Sequence, residues 1–232
     1  MINYSENDIT KMCDEALKNI NTFYRQGFVN YIGTTADSKR EYTEIVSEYV
    51  LLHLDEFAHT IPMITRKNSY DGEHDGSYTE GSGRDEEILA VKLFNRSEND
   101  GCSYAHIGKI IDYQVPLKSK RDDVAGKIDL IAFDGKTLHI LELKKLSSKE
   151  TMLRCVLEGY TYFCTVDKVK LLDDFGLSAN TEITTSPFVF RGGEQWKEWN
   201  EERPMLKKLM NELKIKPYFI YETNRGYEVS EF

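Results

Sequence analysis

Cysteine is scarce in this chain, four in 232 residues. None of the four, Cys13, Cys102, Cys155 and Cys164, forms a C-x-x-C pair. That excludes a dense disulfide framework and makes free thiols in a reducing cytoplasm the expected state. Histidine is sparse as well, and His53, His59, His74, His106 and His139 show neither H-x-x-H nor H-E-x-x-H spacing, so a zinc site is not expected. No run approaches the roughly 18 to 20 consecutive apolar residues that span a membrane, and the opening MINYSENDIT lacks the basic and apolar regions of a secretory signal. A soluble cytoplasmic protein without a membrane partner is the expectation. An excess of positive charge is missing too. Thirty Lys and Arg stand against 39 Asp and Glu, a formal net charge of -9. Broad coating of nucleic acid is excluded, because phosphate binding draws on clustered cations, while a local basic cleft is not. Internal repeats and low-complexity tracts are absent.

What is present suits one globular domain, residues 1–232, with 40% hydrophobic and 30% charged residues. Residues 5–27 place Ile9, Met12, Cys13, Leu17, Ile20 and Phe23 near helical spacing, and 43–59 do so with Ile45, Val46, Tyr49, Val50 and Phe57. These form a helical N-terminal elaboration over 1–64. Residues 65–84 contain RKNSYDGEHDGSYTEGSGR, which has no sustained period and reads as a flexible loop, mobile, functional or both. From Asp85 the chain turns helical (DEEILAVKLFN), then strand-like at 107–115, and then comes the hairpin GKIDLIAFDGKTLHILELKK. A helix follows, opened by Ser147 and Glu150 at the S-x-x-E spacing of a capping box. Strands are expected at 186–190 and 217–222, with a polar helical stretch at 194–213 that Pro204 interrupts. The order predicts an α/β fold, a mixed central sheet with helices on its faces.

The hairpin carries the chemistry. Asp134-Gly135 suits a two-residue turn of type I′, which would pair Phe133 with Lys136 and Asp129 with Ile140. Alternation then puts Asp129, Glu142 and Lys144 on one face and Ile128, Leu130, Leu141 and Leu143 on the other, with His139 among the packing residues. One diagonal step, about 7 to 8 Å, would separate Asp129 from Glu142. Two carboxylates so close repel each other when buried, and a cation between them is the natural remedy. All-oxygen ligands favour Mg²⁺ or Mn²⁺. A lysine two residues past the second carboxylate projects to the same side, where it can activate a water or stabilise charge on a phosphoryl group.

Gly126-Lys-Ile-Asp129-Leu followed by Glu142-Leu-Lys144 resembles the PD-(D/E)xK nuclease superfamily, which includes restriction endonucleases and recombination exonucleases. The resemblance covers residues 85–222 and implies a restriction-endonuclease-like αβββαβ core. It implies that Asp129 and Glu142 bind Mg²⁺ or Mn²⁺ with the backbone carbonyl of Leu143, and that Lys144 orients or activates the attacking water. Many members add a glutamate from the preceding helix. Here that is Glu86 or Glu87, and Glu86 shares the apolar stripe of Leu89, Ala90 and Leu93. One exonuclease subgroup carries Q-x-x-x-Y on the next helix, where this chain has Glu158-x-x-x-Tyr162. The proline-aspartate dipeptide of the superfamily's name does not precede Asp129.

Substrate contacts are expected from Lys118, Lys120 and Arg121, a basic cluster just before the Asp129 strand. Arg154 and Tyr162 are further candidates, although with Glu158 they also read as an exposed helix face holding an i, i+4 ion pair. The resulting expectation is a metal-dependent phosphodiesterase acting on nucleic acid, DNA before RNA, alone, as a homodimer or with a protein partner. The alternative is a non-catalytic binding or structural module that keeps the fold.

Overall fold

The computed structural model describes residues 4–81, 83–118 and 126–231. Its centre is a six-stranded mixed sheet in sequential order. Strands β1 (Lys109–Pro116), β2 (Lys127–Phe133) and β3 (Thr137–Lys144) form an antiparallel meander. Strands β4 (Glu182–Phe190) and β5 (Tyr218–Thr223) then add in parallel, and β6 (Gly226–Ser230) closes the edge antiparallel to β5. The expected mixed α/β class is therefore present. The short β6 was not among the expected strands.

Helices cover both faces. On one, α4 (Asp85–Asn99) sets Leu89, Ala90, Leu93 and Phe94 against Leu130, Ala132, Leu141, Leu143, Phe188 and Ile220. On the other, α5 (Met152–Thr165) sets Leu153, Val156 and Leu157 against Ile131, Leu138, Ile140, Val189 and Phe219. Ile128, expected with Leu130, is buried in this second cluster. The apolar residues of the two helices thus sandwich the sheet, and removing this area from water drives the fold.

The N-terminal elaboration belongs to the same core. Phe23, Tyr24, Val46, Val50 and Phe57 share one apolar cluster with Ile140 and Val156. The helix expected over 5–27 is shorter: α1 spans Glu6–Leu17 behind a Ser5–Asp8 capping box, and 3-10 turns follow at Ile20–Arg25 and Gly27–Asn30. Asn19, at φ -131° and ψ 63°, marks the break. The helix expected over 43–59 divides into α2 (Tyr42–Leu52) and α3 (Leu54–Thr60) at His53. Short helix α6 (Lys168–Asp174) was not expected, whereas α7 (Glu194–Asn200) and α8 (Pro204–Glu212) meet as anticipated at Pro204, which begins the second. Among the described residues, no helix is long and apolar enough to cross a membrane.

Helix starts are capped from afar. The expected box at Ser147 and Glu150 is not used: the cap of α5 is Thr151, whose side chain accepts the Arg154 N–H at 3.1 Å. Glu198 of α7 reaches across to accept the Met152 N–H at 2.6 Å, and Glu44 of α2 accepts the Met205 and Leu206 N–H groups of α8, each at 3.0 Å. Each carboxylate satisfies N–H groups that a helix start leaves without partners. Glu198→Ala is expected to destabilise the protein by about 1–3 kcal/mol, since the Met152 N–H is then buried without its acceptor. Urea denaturation checks it, with Glu198→Gln, which keeps an acceptor, expected to lose less.

Candidate active site

The hairpin turn differs from expectation by one residue. The Asp134 N–H donates to the Thr137 carbonyl at 3.3 Å, and the Asp134 Oδ1 accepts the N–H groups of Lys136 and Thr137 at 2.8 and 2.7 Å. The two-residue loop is therefore Gly135-Lys136, with Gly135 at φ 97°, the glycine-first pattern of a tight hairpin. Pairing follows as Phe133 with Leu138 and Leu130 with Leu141, two positions away from the expected register. A shift of two preserves the alternation, so Leu130, Leu141 and Leu143 stay on their expected face, and Ile128, beyond the last β2–β3 pair, is the exception. Continued to the strand ends, it sets Asp129 across from Glu142 rather than diagonal to it.

At this end the sheet opens. The Leu143 N–H donates to Asp129 Oδ2 at 3.0 Å, so a carboxylate stands where a backbone carbonyl would otherwise serve. Asp129 Oδ1 accepts from the Gln114 side chain at 3.1 Å. Glu142 is buried, as is Lys144, and the Lys144 ammonium lies 2.7 Å from Glu142 Oε1, 3.0 Å from Glu150 and 3.9 Å from Glu158. The second oxygen of Glu142, Oε2, is buried without a hydrogen-bond partner. From the other side of the sheet, Glu86 of α4 accepts the Lys145 N–H at 3.1 Å, and Asp85 pairs with the Lys145 ammonium at 2.7 Å. Glu87 points elsewhere, pairing with Arg84 at 3.3 Å.

Electrostatics follow from this crowding. Burial raises the Asp129 carboxyl to about 7; Lys144 and the Leu143 N–H oppose the rise, and Glu158 and Glu86 add to it. Burial, then the Asp129 charge, pushes Glu142 well above the usual carboxylate range. Burial works against the charge on Lys144, but Glu142, Asp129 and Glu158 overcome it and hold the ammonium protonated.

Arg154 and Tyr162 face inward rather than presenting an exposed helix face. The Tyr162 hydroxyl donates to Glu158 at 2.8 Å and receives the Tyr24 hydroxyl at 3.3 Å. Arg154 pairs with Glu158 at 3.3 Å, lies over the Tyr24 ring at 4.8 Å and donates to the Tyr24 carbonyl. Gly126 is explained by Tyr162: a Cβ there would stand 2.2 Å from its hydroxyl oxygen. Lys118 is half-buried, and its carbonyl accepts from Arg66 at 3.2 Å. Lys120 and Arg121 lie outside the described residues. His139 packs as expected, buried between Thr184 and Asp134 on the α4 face. Gln114 escaped the sequence reading because a strand bulge brings it in, and Glu150 and Glu158, named there for a capping box and for the Glu158-x-x-x-Tyr162 spacing, reach Lys144 only through the docking of α5.

No protein-family model, curated protein or solved structure matches this chain. Among the described residues, no group of three or more His, Cys, Asp or Glu side chains is arranged to hold a metal ion.

The raised carboxyls set a pH dependence. A carboxyl whose folded pKa exceeds its unfolded value binds more protons in the folded state, so stability is greatest below the unfolded value and falls as pH rises through the folded one. For Asp129 that window runs from about 3.8 to about 7. In EDTA, the unfolding free energy of the wild type is expected to fall across this window. Asp129→Asn should flatten the fall and be the more stable protein at pH 8, as read by urea titrations at several pH values.

Proposed function

We propose that the chain is a metal-dependent nuclease of the PD-(D/E)xK type, hydrolysing phosphodiester bonds of nucleic acid, DNA first among its substrates, in the cytoplasm. One observation carries the reading: Asp129 and Glu142 stand just past the last pair of β2 and β3, Leu130 with Leu141, where Asp129 takes the Leu143 N–H, Glu142 meets the Lys144 ammonium and Glu142 Oε2 is left without a partner. The order α4–β1–β2–β3–α5–α6–β4, with the short α6 as an insertion, supports the αβββαβ core that the sequence resemblance implies.

The donor set fits Mg²⁺ or Mn²⁺. These ions take oxygen ligands, keep several waters and are commonly held by one or two carboxylates together with substrate phosphate, so a third acidic side chain is not required. Asp129, Glu142 and the Leu143 carbonyl would hold the ion, with Glu86 beside them. When bound, such an ion polarises the scissile phosphate and lowers the pKa of an attacking water. The protein supplies position. Gln114 and the Leu143 N–H orient the Asp129 carboxylate, while Glu150 and Glu158 fix the lysine. Protonated and fixed beside Glu142, Lys144 can donate hydrogen bonds to the attacking water or to a phosphoryl oxygen.

The alternative of a non-catalytic module draws on one feature: Lys144 is only 6% exposed and already surrounded by three carboxylates. Cleavage assays separate the two readings. Purified protein is incubated with labelled linear and circular DNA and RNA in Mg²⁺, Mn²⁺ or EDTA. Metal-dependent cutting is expected, reduced to background in Asp129→Asn and in Glu142→Gln, both of which should keep the wild-type fold by circular dichroism. Undiminished cutting by both variants would remove the mechanism. Absence of cutting by the folded wild type would favour the module. Lys144→Ala is the poorer test, because leaving Glu142, Glu150 and Glu158 without the ammonium is expected to cost roughly 3–5 kcal/mol of stability.

A further inference from the structure

A cleft of about 690 Å³ lies beside this site, between the segment 74–79, the start of α4, and strands β1 and β2. Its walls include His74, Tyr78, Arg84, Glu87, Gln114 and Lys127. The volume is that of a small-molecule pocket, room for a nucleotide unit and not for a turn of duplex.

Its outer wall is held in place. Asp112, 2% exposed on β1, accepts from the His74 ring at Nδ1 (2.6 Å), from the Gly72 N–H (3.2 Å) and from the Tyr113 N–H (2.8 Å). Asn95 of α4 donates to the Gly76 carbonyl at 2.9 Å, and Lys92 pairs with Glu80 at 2.9 Å. Gly76, at φ 74°, has its Cα so close to Asn95 that a Cβ would stand 1.9 Å from the side-chain oxygen. Residues 72–80 thus form a strap tied to α4 and β1, with the cleft behind it.

The His74 ring is stacked on Tyr113 at 4.4 Å, and Nε2 has no hydrogen-bond partner among the described residues. Tyr78 is 41% exposed on the same wall. Lys127, two residues before Asp129 on β2, is exposed and makes no ion pair among the described residues, whereas Arg84 is paired to Glu87. Gln114 joins cleft and site, for it lines the cleft and donates to Asp129. It adopts φ 50° in a strand that bulges between Ile110 and Asp112, and bulges of this kind re-aim side chains at functional sites.

We propose that this cleft takes an unpaired nucleotide of a single-stranded or frayed substrate, with the base against His74 and Tyr78 and the backbone phosphate toward Lys127. Flat aromatic side chains beside a cation suit unpaired bases, whose faces are free to stack, and a paired duplex offers no such face. The inference rests on the nuclease reading for its substrate class, but its own test is binding.

Fluorescence anisotropy is measured with the full-length Glu142→Gln variant in EDTA, using a labelled eight-nucleotide DNA strand, the same sequence as a blunt hairpin, and adenosine 5′-monophosphate as competitor. The strand is expected to bind more tightly than hairpin or mononucleotide. Added His74→Ala or Tyr78→Ala should weaken it roughly 5- to 100-fold, the range of lost base stacking. Lys208→Ala on α8 should leave it unchanged. Tyr78 is solvent-facing, so its variant tests the cleft even if His74→Ala disturbs the strap. Strand binding unaffected by both substitutions, or a preference for the hairpin or the mononucleotide, overturns the proposal. Cutting by the wild type together with unaffected binding would sink the cleft and spare the nuclease. His74- and Tyr78-dependent strand binding without cutting would do the reverse.

Discussion

The ammonium of Lys144 is the interaction on which the candidate site depends. Buried at the end of β3, it lies within ion-pair distance of Glu142, Glu150 and Glu158, which come from a strand, a loop and a helix. Without it, these carboxylates would face one another in a region with little water, where each charge raises the pKa of the next. Even with it, burial raises Asp129 to about 7, and Glu142 keeps an oxygen without a partner. Carboxyls perturbed by burial and close neighbours cluster at functional sites.

Three layers of the fold meet to produce it. The meander supplies Asp129, Glu142 and Lys144 on one face, and the sheet opens there because the Asp129 carboxylate, rather than a carbonyl, takes the Leu143 N–H. Helix α5 brings Glu158 over that face. It can approach closely because residue 159 is glycine: a Cβ there would stand 2.9 Å from the Thr185 hydroxyl oxygen. The start of α4 bonds to the backbone just past Lys144 through Glu86.

The N-terminal segment lies outside the αβββαβ order and yet holds α5 in place. Asn30 accepts the Thr151 N–H at 2.7 Å, the Val29 carbonyl accepts the Thr151 hydroxyl at 3.0 Å, and Tyr24 meets both Arg154 and Tyr162. These bonds satisfy the start of α5 and fill the wall behind Glu158. The elaboration is therefore part of the site's scaffold, sharing its core rather than resting on the surface.

Much of this was legible in the chain itself because period-two alternation survives error. The turn was expected at Asp134-Gly135 and formed at Gly135-Lys136, but the resulting slip of two residues left Asp129, Glu142 and Lys144 on a common face. Local pattern was equally reliable for α4, β3 and the break at Pro204. It failed where a distant group decided the outcome. The cap of α5 moved to Thr151, and Glu150, expected in a capping box, went to Lys144 instead. The sequence by itself determined which faces are apolar and, Ile128 excepted, which hairpin residues share them, since backbone periodicity is a local property. Only the tertiary structure decided that Gln114 would reach Asp129, that Asp112 would hold His74, and that Glu158 would approach Lys144. Those meetings depend on a strand bulge, a tied strap and a docked helix, joining residues 14 to 38 positions apart through packing that no short stretch of sequence records.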